Sequence, residues 1–268
     1  MNATLQKSFK RRYPFRLATT SFIYPTSWVT NVRRLGPYID EIELLLLESR
    51  PDSLPTGEEV ASLVRLGDEF DLTYNIHLPY DISACDPDPD TRLRAVAALK
   101  QVIDLTAPLM PTTHTLHLPF NPERPRGWPQ RAEDSIARLA AKGVAPDALS
   151  IETLDYPFEL LQDILERRDL SVCIDVGHLI IHEMDLRATL DRWMPRTAVV
   201  HLHGVDGKRD HLSLDRMPPE KLRSILKRLQ AFNGTVSIEV FSFDHLSASL
   251  ATLEKRWCEM GYPSAESF

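Results

Sequence analysis

The sequence predicts a (β/α)8 barrel, and three observations carry that expectation. Short apolar segments alternate with longer amphipathic ones eight times, which implies a parallel sheet covered by helices. The alternation fills 268 residues with no break in composition, the usual size of such a barrel. Six of the apolar segments end in His, Asp or Glu, at the strand ends where barrel enzymes place their chemistry. A doubly wound open sheet is the alternative. The first strand is followed by no Gly-rich phosphate loop, which weakens its nucleotide-binding form.

The elements are expected as follows. Phe15 to Ile23 is a first strand, Tyr24-Pro25-Thr26 a turn, and Ser27 a cap for a short helix from Trp28 to Leu35. Asp40 to Glu48 is a second strand, its apolar run too short for a buried helix. Thr56 with Glu59 three residues on forms a capping box for a helix to about Phe70. Leu72 to His77 is the third strand, and a long helix opens at Asp90 or Thr91. His114 to His117 is the fourth, followed by a Pro-rich loop and a helix from about Ala132 to Ala141. Ala148 to Thr153 and Leu170 to Asp175 are the fifth and sixth, with helices at Pro157 to Arg167 and around Leu186 to Trp193. Ala198 to His203 is the seventh, before a helix that Pro218-Pro219-Glu220 starts and Asn233-Gly234 stops. Thr235 to Phe241 is the eighth, and Ala248 to Met260 the final helix.

The composition narrows the function classes. A net charge of −7, with both signs mixed along the chain, argues against a duplex phosphate backbone as main partner. The one basic run, Lys7-Ser8-Phe9-Lys10-Arg11-Arg12, reads as part of a solvated tail over residues 1–14, ahead of a single domain over 15–268. No apolar segment suits a signal peptide or a membrane span. Cys85, Cys173 and Cys258 are widely spaced and odd in number, so neither a disulfide framework nor a CxxC site is visible. A reducing cytoplasm is the expected compartment.

The strand ends hold the chemistry. His77, His117, Glu152, Asp175, His201 with His203, and Glu239 close or follow strands three to eight. His178 comes three residues after Asp175, and Asp210-His211 lies in the loop after strand seven. Ile76-His77-Leu78-Pro79-Tyr80 and Leu116-His117-Leu118-Pro119-Phe120 are near copies, each placing an imidazole where the chain is forced to turn. His114 is three residues from His117 and so faces the other way, as a packing residue. A lone strand-end His is more often structural than a ligand. However, a buried carboxylate needs compensation, and no Lys or Arg lies in the C-terminal half of any strand. Divalent ions, two or three of the Zn, Mn or Fe kind, are the compensation that imidazole and carboxylate together suit.

Glu152, Asp175, His201 and Glu239 resemble the metal quartet of the xylose isomerase-like barrels. His77, His117, the Asp-x-x-His of Asp175 and His178, and Asp210-His211-Leu212-Ser213-Leu214 are similar to the further ligands of the endonuclease IV branch. There the last pair is separated by one residue, and here Asp210 and His211 are adjacent. The segments from Arg16 to Pro25 and from Val32 to Leu46 resemble the N-terminal signature of the cobamide-remodelling phosphodiesterases (the CbiR family). That resemblance runs from about Phe15 to Trp257. It implies hydrolysis of the nucleotide-loop phosphodiester of a B12-type corrinoid, giving cobinamide phosphate and the α-riboside of the lower base.

Glu152, Glu239 and His203 are then the expected catalytic residues, with Glu152 bridging ions near the attacking water. Tyr24, Tyr80, Phe120, Lys208 and Arg209 are expected to contact substrate; Trp28, Trp128, Tyr156, Phe241 and Phe243 are further candidates for the mouth. The expected partner is a small-molecule corrinoid, with neither nucleic acid nor membrane. Three alternatives stay open: a one-metal sugar isomerase or epimerase, an abasic-site endonuclease, and a barrel that only binds a corrinoid or sugar.

Overall fold

The computed structural model describes residues 3–261, so the end of the expected domain, 262–268, lies outside the described residues. Eight parallel strands close into a barrel. They are β1 (Arg16–Thr20), β2 (Glu41–Leu45), β3 (Thr73–His77), β4 (His114–Leu116), β5 (Leu149–Glu152), β6 (Ser171–Asp175), β7 (Thr197–Leu202) and β10 (Thr235–Ile238), with β1 pairing to both β2 and β10. The helices are α1 (Trp28–Leu35), α2 (Gly57–Phe70), α3 (Pro89–Thr106), α4 (Trp128–Ala141), α5 (Gln162–Arg168), α6 (Val176–Ile181), α7 (Leu186–Trp193), α8 (Pro219–Leu229) and α9 (Phe243–Glu259). A small antiparallel hairpin, β8 (Gly204–Asp206) and β9 (Arg209–Leu212), stands between β7 and α8.

The expected caps form. Thr56 Oγ1 accepts from the Glu59 N–H at 3.2 Å while Glu59 Oε2 accepts from the Thr56 N–H at 2.9 Å. Ser27 Oγ accepts from the Thr30 N–H at 3.3 Å. Several boundaries move. α3 begins at Pro89 because Asp88 caps it, and α4 begins four residues earlier than expected, at Trp128. α9 starts at Phe243, capped by Ser242. α6 starts directly after β6, with no intervening loop, because the Asp175 carboxylate caps it through the His178 N–H at 2.7 Å.

The solvated tail is a correction. Leu5 and Phe9 are buried in the core. Phe9 N–H donates to the Tyr38 carbonyl at 2.7 Å, Lys10 Nζ donates to the Phe70 carbonyl at 2.7 Å, and Arg12 pairs with Glu254 of α9 at 2.8 Å. Two apolar side chains four residues apart, set among cations, are what tie the segment down; their stems and rings cover the barrel while the charges reach its edge.

The barrel interior is polar. Ile42, Leu44 and Leu46 face the helices and join the main core cluster, whereas the alternate positions Glu41 and Glu43 are fully buried inside the barrel. Most barrels fill this space with Val, Ile and Leu. Here Glu41 accepts from Asn75 Nδ2 at 2.8 Å, Thr235 Oγ1 at 2.9 Å, Thr73 Oγ1 at 2.7 Å and Arg16 Nε at 3.0 Å. A buried carboxylate tolerates that position only because its oxygens are satisfied in this way. The apolar core proper therefore lies between barrel and helices, and the inner column is left free for polar side chains that rise to the C-terminal rim.

Candidate metal centre

Period-2 alternation brings His77, His117, Glu152, Asp175, His201, His203 and Glu239 to one place at the C-terminal end of the barrel. Glu152 is the hub. Its Oε2 lies 2.8 Å from His117 Nε2 and 3.3 Å from His77 Nε2. Its Oε1 lies 3.4 Å from His178 Nδ1 and 3.7 Å from His201 Nδ1. The two oxygens of one carboxylate thus address two separate sets of imidazoles, the arrangement of a bridging ligand.

A second cluster surrounds His201. Its Nδ1 is 3.1 Å from Glu239 Oε2 and 3.6 Å from Asp175 Oδ2. Both His201 ring nitrogens and Glu239 Oε2 are buried without a hydrogen-bond partner among the described residues. Buried polar atoms are rarely left so. Of these, His201 Nδ1 and Glu239 Oε2 face each other on the side of Asp175, a pairing that fits a cation.

The third cluster settles the geometry of the adjacent pair. Ligand atoms of His178, Asp210 and His211 all lie within 4.8 Å of one another. In a regular strand neighbouring side chains point to opposite faces. His211 escapes that rule because its φ is +50°, in the left-handed region, and the β8–β9 register shifts beside it. An irregular strand re-aims a side chain in this way. The tip is a two-residue turn, Gly207-Lys208, with Gly207 at φ +60° as such hairpins require.

His203 lies under the hairpin. It is fully buried, with Nε2 3.2 Å from Asp175 Oδ1 and Nδ1 accepting the His211 N–H at 2.9 Å. Both nitrogens face protein groups, so the ring braces Asp175 and the hairpin, and it also belongs to a candidate ligand group with His211 and Glu239. Gly177 leaves room for it: a Cβ there would stand 1.9 Å from His203 Cε1.

Glu43 is the residue that sequence reasoning missed. It is fully buried on β2, its Oε1 faces His201 Nε2 at 2.9 Å, and its Oε2 accepts from Ser237 Oγ at 2.6 Å. A carboxylate on the far nitrogen of a ligating His keeps the proton there and leaves the near lone pair for the ion. The shared parity of Glu41 and Glu43, opposite to Ile42 and Leu44, is the signal that marks it. Glu43→Gln is expected to weaken metal affinity about 10- to 100-fold, measured by competition with a chelator. An unchanged affinity would reduce Glu43 to a structural residue.

The cluster's charges stabilise one another. Burial pushes Glu152 and Asp175 up, but the imidazoles around them hold both carboxyls well below their ordinary value. Burial likewise opposes charge on His77, His178 and His201; facing carboxylates outweigh it at His77 and His178, and Cys173 followed by the carboxylates of Glu239, Glu43 and Glu152 outweighs it at His201, so all three are raised.

The other expected site residues scatter around the mouth. Tyr80 is 54% exposed and stacks on His117 with ring centroids 5.9 Å apart. Tyr24 is buried, donating from its hydroxyl to the Ala3 carbonyl at 2.8 Å, and stacks on Phe243. Phe120 packs against Trp128 and Tyr156 in an aromatic cluster, with Trp128 and Tyr156 fully buried, so these three serve packing first. Trp28 is partly buried against the core. Lys208 and Arg209 stand exposed on the hairpin. His114 is buried, 3.3 Å from the Ala148 carbonyl, away from the ligand clusters, as its parity implies. Phe241 is exposed and lies over His211 with centroids 4.8 Å apart.

Residues 29–258 match the family described as xylose isomerase-like TIM barrel. No curated protein matches the chain in sequence. Among solved structures, a D-tagatose 3-epimerase-like protein is similar, with a TM-score of 0.74 and 14% identity over 92% of this chain and 98% of that one. Endonuclease IV from Thermus thermophilus is similar with a TM-score of 0.69 and 19% identity, over 90% of this chain and 99% of that one. The TTHB071 protein from the same organism, in a structure soaked with ZnCl2, gives 0.64 and 23% over 92% and 98%. At these identities the likeness is one of fold.

Proposed function

Because the chain belongs to the xylose isomerase-like TIM barrel family, we propose that it is a metal-dependent hydrolase acting on the nucleotide-loop phosphodiester of cobamides. The products are cobinamide phosphate and the α-riboside of the lower base. The reading rests on one observation above the others: His178, Asp210 and His211 are drawn together beside the clusters built on Glu152 and on His201. A sugar isomerase needs one ion and an acid–base pair. Three adjoining ligand clusters instead suit a phosphate, whose several oxygens each need charge compensation.

His77, His117 and Glu152 would hold one ion, Glu152, Asp175, His201 and Glu239 a second, and His178, Asp210 and His211 a third. Ions held there supply Lewis-acid charge to the phosphate oxygens and make bound water more acidic. The protein's own groups orient the reaction. Glu152 sits between the first two clusters, where it positions the attacking water and accepts its proton. The water oxygen forms the new bond to phosphorus, the bond from phosphorus to the ribose oxygen breaks, and that oxygen leaves as the alcohol with a proton from solvent water, while Glu152 returns its own proton to solvent. Lys208 and Arg209 on the hairpin are placed to meet negative charge at the mouth, and Tyr80 to cover the side over His117.

The test is to incubate the metal-loaded protein with a cobamide and follow products by mass spectrometry. Appearance of cobinamide phosphate with the α-riboside supports the reading. An unchanged cobamide beside an isomerised sugar, or beside an incised abasic duplex, overturns it.

A further inference from the structure

A cavity lies beside the metal centre, not over it. It holds about 780 Å³ and is lined by Phe22, Tyr24, Arg34, Phe241 and Phe243, with Asp244 at its edge. It sits between the end of β1, the end of β10 and the start of α9. Phe22 and Phe241 are 41% and 44% exposed, unusual for large apolar rings at a mouth. Contiguous exposed apolar surface of this kind marks a place that something covers. Phe241 joins the cavity to the chemistry, since the ring that lines it also lies over His211.

We infer that this cavity is the subsite for the flat heteroaromatic base of the substrate, held beside the metal centre while the phosphodiester lies across it. The inference rests on the phosphodiesterase reading and deepens it. The size decides between the two large parts of such a substrate. The volume lies within the ~300–1,000 Å³ of ordinary small-ligand pockets, which suits a base with its ribose and not a whole corrinoid. The walls decide the chemistry. Aromatic faces take planar π-systems by stacking with little regard to ring substituents, and Arg34, whose guanidinium lies 4.5 Å from the Tyr24 ring centroid, adds a donor at the rim. The corrin face, with its amide-bearing periphery, is left outside the cavity, over the rest of the mouth. Such a subsite would accept lower bases of different substitution while rejecting a substrate that lacks a flat base.

The experiment measures binding apart from turnover. The probe is benzimidazole riboside, which has no phosphodiester, titrated into the full-length metal-loaded protein by calorimetry, with ribose alone as control. The unaltered protein is expected to bind the riboside and not ribose. Phe22→Ala is expected to weaken riboside binding about tenfold and to raise KM for a cobamide to a similar extent with little change in kcat; Phe22→Trp, which restores a flat face, should recover both. Unchanged riboside binding in Phe22→Ala overturns the subsite even if cobamide is cleaved. Loss of riboside binding in Phe22→Ala with no cleavage of cobamide by the unaltered protein keeps the aromatic subsite and overturns the phosphodiesterase reading. A KM unchanged beside a lowered kcat overturns the subsite too.

Discussion

Glu152→Gln is expected to cut turnover on the order of 10³-fold or more, equivalent to about 4 kcal/mol of transition-state stabilisation, and to cost at least one ion per chain. The reason is the division of labour between its oxygens. Oε2 serves His117 and His77, at 2.8 and 3.3 Å, while Oε1 serves the side of His178 and His201. An amide replaces one of those oxygens with a donor, so either orientation spoils one of the two clusters. It also removes the negative charge that supports the neighbouring imidazoles. The barrel itself should persist, because Glu152 is at the top of β5 and not part of the Glu41 network below. Metal content per chain after dialysis, turnover, and a far-ultraviolet spectrum together check this. Full metal content with full turnover would remove Glu152 from the centre.

Gly177→Ala should do comparable damage with a single methyl group. The added Cβ would fall 1.9 Å from His203 Cε1 and 2.5 Å from Nε2. His203 has nowhere to go: one nitrogen is fixed on Asp175 and the other on the His211 N–H. Overpacking of this kind costs about 1–3 kcal/mol of stability, but the larger effect is on geometry. Displacing His203 shifts Asp175 and releases the hairpin that carries Asp210 and His211. The expected outcome is a modest fall in thermal midpoint, selective loss of the ion held by His178, Asp210 and His211, and retention of the one held by His77, His117 and Glu152. Unchanged midpoint and metal content would show that the helix can yield and that His203 braces nothing.

The fold is legible because strands and helices follow one another with clear periods, and because His, Asp and Glu recur at the C-terminal ends of six apolar runs. His77, His117, Glu152, Asp175, His201 and Glu239 can be gathered on parity alone. Glu43 is hidden because it sits inside a run of leucines, where a carboxylate reads as an irregularity unless its parity with Glu41 is followed. The hairpin is hidden for another reason. Asp206-Gly207 is a strong turn signal, but the flanking residues are polar and few, and they read as a ligand-bearing loop. The approach of Asp210 to His211 depends on a left-handed φ at a non-glycine residue, which tertiary contacts impose and no local preference announces. The buried N-terminal segment is obscured by its charges, which reach the edge while Leu5 and Phe9 do the packing.

The polar column inside the barrel sets a limit on how far this protein could be stabilised by design. Filling Glu41, Asn75, Thr235, Ser237 and Glu43 with branched apolar residues would supply the packing that most barrels possess, at the position where this one gives it up. Yet Glu43 and Ser237 form the floor on which His201 stands. Each step toward a tighter core would loosen the orientation of a ligand above it, a trade between robustness and activity. Stabilising changes belong instead in the layer between strands and helices, or along the N-terminal segment, where Phe9 and Arg12 already fasten the chain without touching the column.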